Sequence, residues 1–242
     1  MTTRLACVLL LTSLVACGGD DNNTPTDGAG SGSGSNAPAM ITVTGKAQEN
    51  TGTATNPLAG VMIAAYSNTD ENTPVATATS DTSGNYTLTI TTGGHALDGY
   101  IKATIANYLD TYLYPPTALA ADFSGASLNI IKQSTYDLVS NLCQGNQMGT
   151  NGGVAVEVVD SAMMPVGGAT VASTPAAMKY CYNASNGFPS GSATATNTDG
   201  LAYMFNLTGQ ATVTATATGK TFISHGLKAR AGALTTTLIM AQ

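Results

Sequence analysis

The sequence predicts an all-β chain: two tandem β-sandwich domains joined by a short helix. Three observations predict it. Short runs rich in Thr, Val, Ile and Tyr alternate apolar with polar residues, the two-residue period of half-buried antiparallel strands. Gly, Asn, Asp and Pro punctuate those runs at the spacing of turns in a sandwich. The chain also repeats itself, Asn56-Pro-Leu-Ala-Gly-Val-Met-Ile63 matching Met164-Pro-Val-Gly-Gly-Ala-Thr-Val171.

The N-terminus comes first. Arg4 is followed by an apolar run, Leu5 to Ala16. At about 12 residues this run is shorter than the ~20 that span a bilayer, so residues 1–16 read as a signal peptide. It ends in Leu14-Val15-Ala16-Cys17-Gly18, which resembles the lipobox of bacterial lipoproteins. The resemblance implies lipidation of Cys17, with palmitate or a similar acyl chain beside a diacylglyceryl thioether. Two or more chains anchor a protein where one binds only marginally. Gly18 and Gly19 follow the cysteine, with no Asp directly after it. By the same resemblance this implies the outer membrane of the cell envelope. Residues 17–40 are rich in Gly, Ser, Asp and Asn and have nothing to bury, so they are expected to be a tether with a reach of ~25 Å.

Charged residues make up only 9% of the chain, with a formal net charge of −6. That balance argues against nucleic acid, which needs clustered Lys and Arg. Of four cysteines, Cys7 leaves with the signal and Cys17 is lipidated, so Cys143 and Cys181 remain. In an exported chain the pair is most simply a disulfide, because two Cys without nearby His fall short of a metal's usual four ligands.

Among the strands, Ile41–Gly45, Tyr86–Ile90 and Ala211–Thr216 alternate clearly, and Leu238–Met240 reads as the last strand, closing the second sheet. Ser134 to Cys143 holds the one helical pattern, with Ser134 or Thr135 as cap and Gly145 as its end. The repeat extends downstream, Thr79-Ser-Asp-Thr-Ser-Gly-Asn-Tyr86 matching Ala195-Thr-Asn-Thr-Asp-Gly-Leu-Ala202. The Gly60–Gly168 offset is 108 positions and the Gly84–Gly200 offset is 116, so the second copy carries about 8 extra residues, around Cys181. These marks place a first sandwich at 41–133, a helical connector at 134–148 and a more divergent second sandwich at 149–242.

The order of strand, Pro-Leu-Ala-Gly turn, strand, Asp-Thr-Ser-Gly-Asn-Tyr, strand, then Tyr100-Ile-Lys-Ala-Thr-Ile-Ala-Asn-Tyr108, resembles the carboxypeptidase regulatory-like domain. That family implies a transthyretin-like (prealbumin-like) Greek-key sandwich of about seven strands. Its modules are mostly non-catalytic appendages, so the resemblance implies a structural, adhesive or binding role without a cofactor. An enzymatic relative of the sandwich, the intradiol ring-cleaving dioxygenases, holds iron with two Tyr and two His. Here His95 and His225 are the only histidines, fall in different expected domains and lack a Tyr-x-His cluster. No catalytic residue and no metal ligand is assigned.

Two further features carry candidate chemistry. Tyr108, Asp110, Tyr112 and Tyr114 would share one face of an extended strand. Exposed, they would stack on sugar rings and mark a carbohydrate-binding accessory; buried, they would be core residues with wet hydroxyls. Asp81, Ser83 and Asn85 offer alternating oxygens, but a helix-loop-helix calcium site would need Gly and Glu where Tyr86 and Thr92 stand. A hairpin turn is expected there, with Gly84 supplying a positive φ.

Overall fold

A computed structural model describes residues 37–242. The expected signal peptide, Cys17 and nearly all of the expected tether lie outside the described residues. In the first half, β1 (Met40–Asn50), β2 (Thr55–Pro57), β3 (Met62–Ser67) and β4 (Ala76–Thr79) are followed by β5 (Asn85–Thr91), β6 (Gly99–Thr104), β7 (Asp110–Tyr114) and β8 (Phe123–Ile130). α1 (Gln133–Leu142) comes next. The second half holds β9 (Gly152–Val159), β10 (Thr170–Thr174), β11 (Lys179–Asn183), β12 (Pro189–Ser190), β13 (Leu201–Leu207), β14 (Gly209–Thr216), β15 (His225–Ala229) and β16 (Ala233–Met240). The all-β class is as the alternation predicts.

In the first half β1 lies between antiparallel β5 and parallel β8, and this sheet packs on β4-β3-β6-β7. The core between them is built from the inward residues of both, among them Ile41, Val43, Leu88, Ile90, Ile63, Ile101 and Leu128. Alternation explains the selection, since β5 is buried at every second residue from Tyr86 to Ile90.

The second half repeats this plan. β9 lies between antiparallel β13 and parallel β16, while β10 pairs with β14 and β14 with β15. Thus β9, β10, β13, β14, β15 and β16 take the places of β1, β3, β5, β6, β7 and β8. The turns agree atom by atom. Ser80 Oγ accepts from the Val61 amide and donates to the Leu58 carbonyl; Thr196 Oγ1 accepts from the Ala169 amide and donates to the Val166 carbonyl. Gly84 and Gly200 have φ of +78° and +68°, and a Cβ on either would strike a carbonyl, that of Ala47 or of Val158. The Gly is therefore required twice over, by conformation and by room.

One strand breaks the parallel. β4 pairs with β3, whereas β11 pairs with β13 in the other sheet. The extra residues of the second copy supply β11, and a disulfide between Cys143 and Cys181, with Cα atoms 5.6 Å apart, ties it to the end of α1. The expected bridge is present.

Sequence and structure differ at three further places. Asp81–Asn85 turns as expected, but it links β4 to β5, which lie in different sheets, so it is a corner of the sandwich and not a hairpin. α1 has Lys132 at its N-cap with no side-chain bond, so neither Ser134 nor Thr135 caps it. Beyond its end Gln144 takes the left-handed conformation, and Gly145 leaves room for the Phe205 ring, 2.6 Å from where a Cβ would stand.

The largest departure is β16. It closes the second sheet by pairing with β9, as expected, and it also pairs in parallel with β7 of the first half, Thr235 opposite Tyr112 and Thr237 opposite Tyr114. The result is one nine-stranded sheet, β12-β11-β13-β9-β16-β7-β6-β3-β4, running through both halves. The β1 sheet covers one face of it at one end, and β10-β14-β15 covers the opposite face at the other. The two sandwiches are joined by α1 and by this shared sheet.

Candidate functional site at the junction of the sandwiches

Alternation along β6 and β7 sends Ile101, Ala103 and Leu113 into the first core. Tyr100, Tyr112 and Tyr114 point the other way, where they join the core of the second sandwich. Their relative exposures are 3%, 9% and 3%. Tyr66 and Tyr114 stack on Tyr100, with ring centroids 5.4 and 5.2 Å away.

These rings enclose a cation. The Arg230 guanidinium, just past β15, sits 4.3 Å from the Tyr100 centroid and 4.2 Å from that of Tyr112. Its Nη1 donates to the Tyr114 hydroxyl at 3.0 Å and to the Lys228 carbonyl at 3.1 Å. From the β3–β4 connection, Glu71 accepts from Lys228 at 2.7 and 2.9 Å and lies 3.5 Å from Arg230. A guanidinium between aromatic faces is attracted by the ring quadrupoles, most strongly where water is excluded. Burial opposes its charge, but the Tyr114 hydrogen bond, the neighbouring tyrosines and Glu71 hold its pKa above the ordinary value. Burial also pushes Tyr100 up to about 12 and raises Tyr114, so these two stay neutral phenols throughout the physiological range. The hydrogen bond from Lys228 holds the Glu71 carboxyl below its usual range.

This arrangement corrects the carbohydrate-binding reading. Asp110, Tyr112 and Tyr114 do share a face of β7, but Asp110 is paired with Lys102 at 2.8 Å and the two rings are buried against Arg230. Tyr108 is not on that face. It lies in a turn before β7, partly buried against the first core, with Lys132 5.3 Å from its ring centroid. No sugar reaches Tyr112 or Tyr114 without parting the sandwiches. Sequence reasoning missed Arg230, Glu71 and Lys228. The available signal was slight: with only 8 Lys and Arg in the chain, Lys228 and Arg230 fall together on the polar phase of a strand whose Leu227 and Ala229 are core residues.

The histidines lie apart in role. His95 is exposed in the turn after β5, while the His225 ring meets the edge of Tyr114 at 6.4 Å and burial lowers its pKa. Among the described residues no group of three or more His, Cys, Asp or Glu is placed to hold a metal ion. At the Asp81 loop, Oδ1 accepts from the backbone amides of Ser83 and Asn85, both at 2.8 Å. The carboxylate is committed to the turn. No helix among the described residues is long and apolar enough to cross a membrane.

No family model and no curated protein matches this chain. Among solved structures it is similar to a minor pilin of Streptococcus agalactiae, at 12% identity and a TM-score of 0.28, over 83% of this chain and 95% of that one. The shaft pilin spaA of Lactobacillus rhamnosus GG is 13% identical with a TM-score of 0.26, over 84% and 98%. The Bacillus anthracis TIE protein is 13% identical with a TM-score of 0.27, over 84% of this chain, which spans about a third (34%) of its length. Scores this low carry no argument for this chain.

Proposed function

We propose that this chain is a lipid-anchored cell-envelope protein whose paired sandwiches are a non-catalytic structural, adhesive or binding module. Cys17 is the lipidated residue and the first of the mature chain. Residues 17–40 are the leash, and 41–133 and 149–242 are two tandem modules with 134–148 between them. The anchor is in the outer membrane, and the partner is an envelope protein or glycan that meets a surface other than the tyrosine layer. The observation that supports a mechanical or presenting role is the shared sheet. With β16 paired on both sides and Arg230 caged by the tyrosines of the other half, the sandwiches cannot hinge without breaking backbone hydrogen bonds. A leash carrying a stiff unit holds a surface at a defined distance from the membrane.

Cell fractionation with intact-mass analysis tests the anchor. Wild-type protein is expected in the membrane fraction, cleaved before Cys17 and carrying acyl mass, and Cys17→Ser is expected to lose both. An unmodified full-length mass in the membrane fraction overturns the proposal. Crosslinking and pull-down from the same envelopes would then identify the partner.

A further inference from the structure

On the second half of the nine-stranded sheet, the face away from β10-β14-β15 has no second sheet over it among the described residues. β9 contributes Gly153, Ala155 and Glu157 to this face, and α1 lies across one end of it. Between them runs a groove of about 150 Å³, walled on one side by the Asn50–Thr53 turn of the first sandwich and on the other by Phe188 and Pro189. That volume matches the roughly 150 Å³ of an apolar protein cavity that admits benzene. Leu138, Leu142 and Phe188, on the rim, are exposed.

Two buried polar atoms of residues lining the groove, the Tyr136 hydroxyl and Glu157 Oε2, have no hydrogen-bond partner. Both residues are more than nine-tenths buried, at 7% and 4% exposure. Buried polar groups are nearly always paired, and an unpaired carboxyl in an apolar wall is among the most costly. Tyr136 reaches the floor only because residue 153 is glycine, its hydroxyl standing 2.1 Å from where a Cβ would be. Gly153 and Glu157 are four residues apart on one strand, about 13 Å at ~3.3 Å per residue, so the two groups mark opposite ends. The charge near Glu157 has one sign. Asp199 lies close enough to raise the Glu157 pKa further, after burial. Asp199 itself is engaged by Asn183 and the Leu201 amide, and among the described residues no cation pairs with either acid.

We propose that this groove binds a small primary ammonium compound, its ammonium donating to Glu157 and an apolar body of about six to eight carbons lying along the floor towards Tyr136. A cation with its own donors satisfies the orphan oxygen and offsets both carboxylates. A carboxylate ligand would meet two like charges, and a neutral alcohol would gain only the apolar contact.

The test is NMR titration of the methyl-labelled mature chain with hexylammonium, hexanol and hexanoate at pH 8, above the Glu157 pKa of about 7. Hexylammonium is expected to shift the Val139, Leu142 and Leu234 methyls saturably, and to bind more tightly than propylammonium. Glu157→Gln, nearly the same size, is expected to weaken hexylammonium about tenfold or more and to leave hexanol unchanged, the scale of a charge-assisted hydrogen bond. Hexanol binding as tightly as hexylammonium to wild type overturns the proposal without any variant. So does the absence of binding by all the probes, or undiminished ammonium binding by a folded Glu157→Gln.

Discussion

Arg230, from the end of β15, donates to the Tyr114 hydroxyl of β7 at 3.0 Å, across the boundary between the two sandwiches. The same guanidinium lies over the rings of Tyr100 and Tyr112. The tyrosines that a sequence reader would offer to a sugar are thus spent on holding the halves together.

Arg230→Ala removes these contacts and leaves an aromatic-lined hole, with Glu71 held by Lys228 alone. The expected cost is about 2–4 kcal/mol, from desolvated cation–π and hydrogen-bond terms. Thermal denaturation should show a melting temperature lower by roughly 5–12 °C. Arg230→Lys keeps the charge but not the planar fork, and should fall between.

The Cys143–Cys181 bridge closes a sequence separation of 38 residues and fixes β11 beneath α1. Replacing both cysteines with alanine should cost about 2–4 kcal/mol in chemical denaturation, with wild type under reducing conditions shifting similarly. Equal midpoints for the bridged and unbridged proteins would mean that packing alone places β11.

Glu157 gives a signed pH dependence. Burial, then Asp199, raises its pKa to about 7 from the ordinary 4.5. The native state therefore holds a proton that the unfolded state has released, so this contribution is fully present below about pH 4.5 and is lost as pH rises through 7. Glu157→Gln should differ little from wild type at pH 4 and be more stable at pH 8, by up to about 3 kcal/mol. Melting curves of both proteins across that range check the slope.

The two copies predict paired effects. Gly84→Ala and Gly200→Ala each combine a positive φ with a Cβ driven into a carbonyl, 2.3 Å and 2.5 Å away. Each should cost about 2–4 kcal/mol. Gly52→Ala, at φ +85° with open space around it, should cost only about 1 kcal/mol. Urea titrations of the three variants give the comparison directly.

Much of this fold was legible. Alternation in Tyr86–Ile90 reports which side chains face the core, and the Pro-x-x-Gly and Asp-x-x-Gly turns carry a backbone conformation that few other sequences satisfy. What lay beyond reach is the partner of a strand's second edge. Leu238–Met240 shows that a strand ends the chain, but pairing with β7 depends on chain brought together from more than a hundred residues away. The same limit hid the site. Tyr112 and Tyr114 read as one face, yet whether that face meets water or Arg230 is decided by how the halves dock. Glu157 was more visible, as a lone acid within Val154–Val159, although its missing partner is a matter of three-dimensional structure alone.

Differential scanning calorimetry tests the central claim, that the shared β16 and the caged Arg230 make the two sandwiches one cooperative unit. A single transition is predicted, with calorimetric and van 't Hoff enthalpies equal, moved downward as a whole by Arg230→Ala. Two resolved transitions, one of them unmoved by Arg230→Ala, would contradict it.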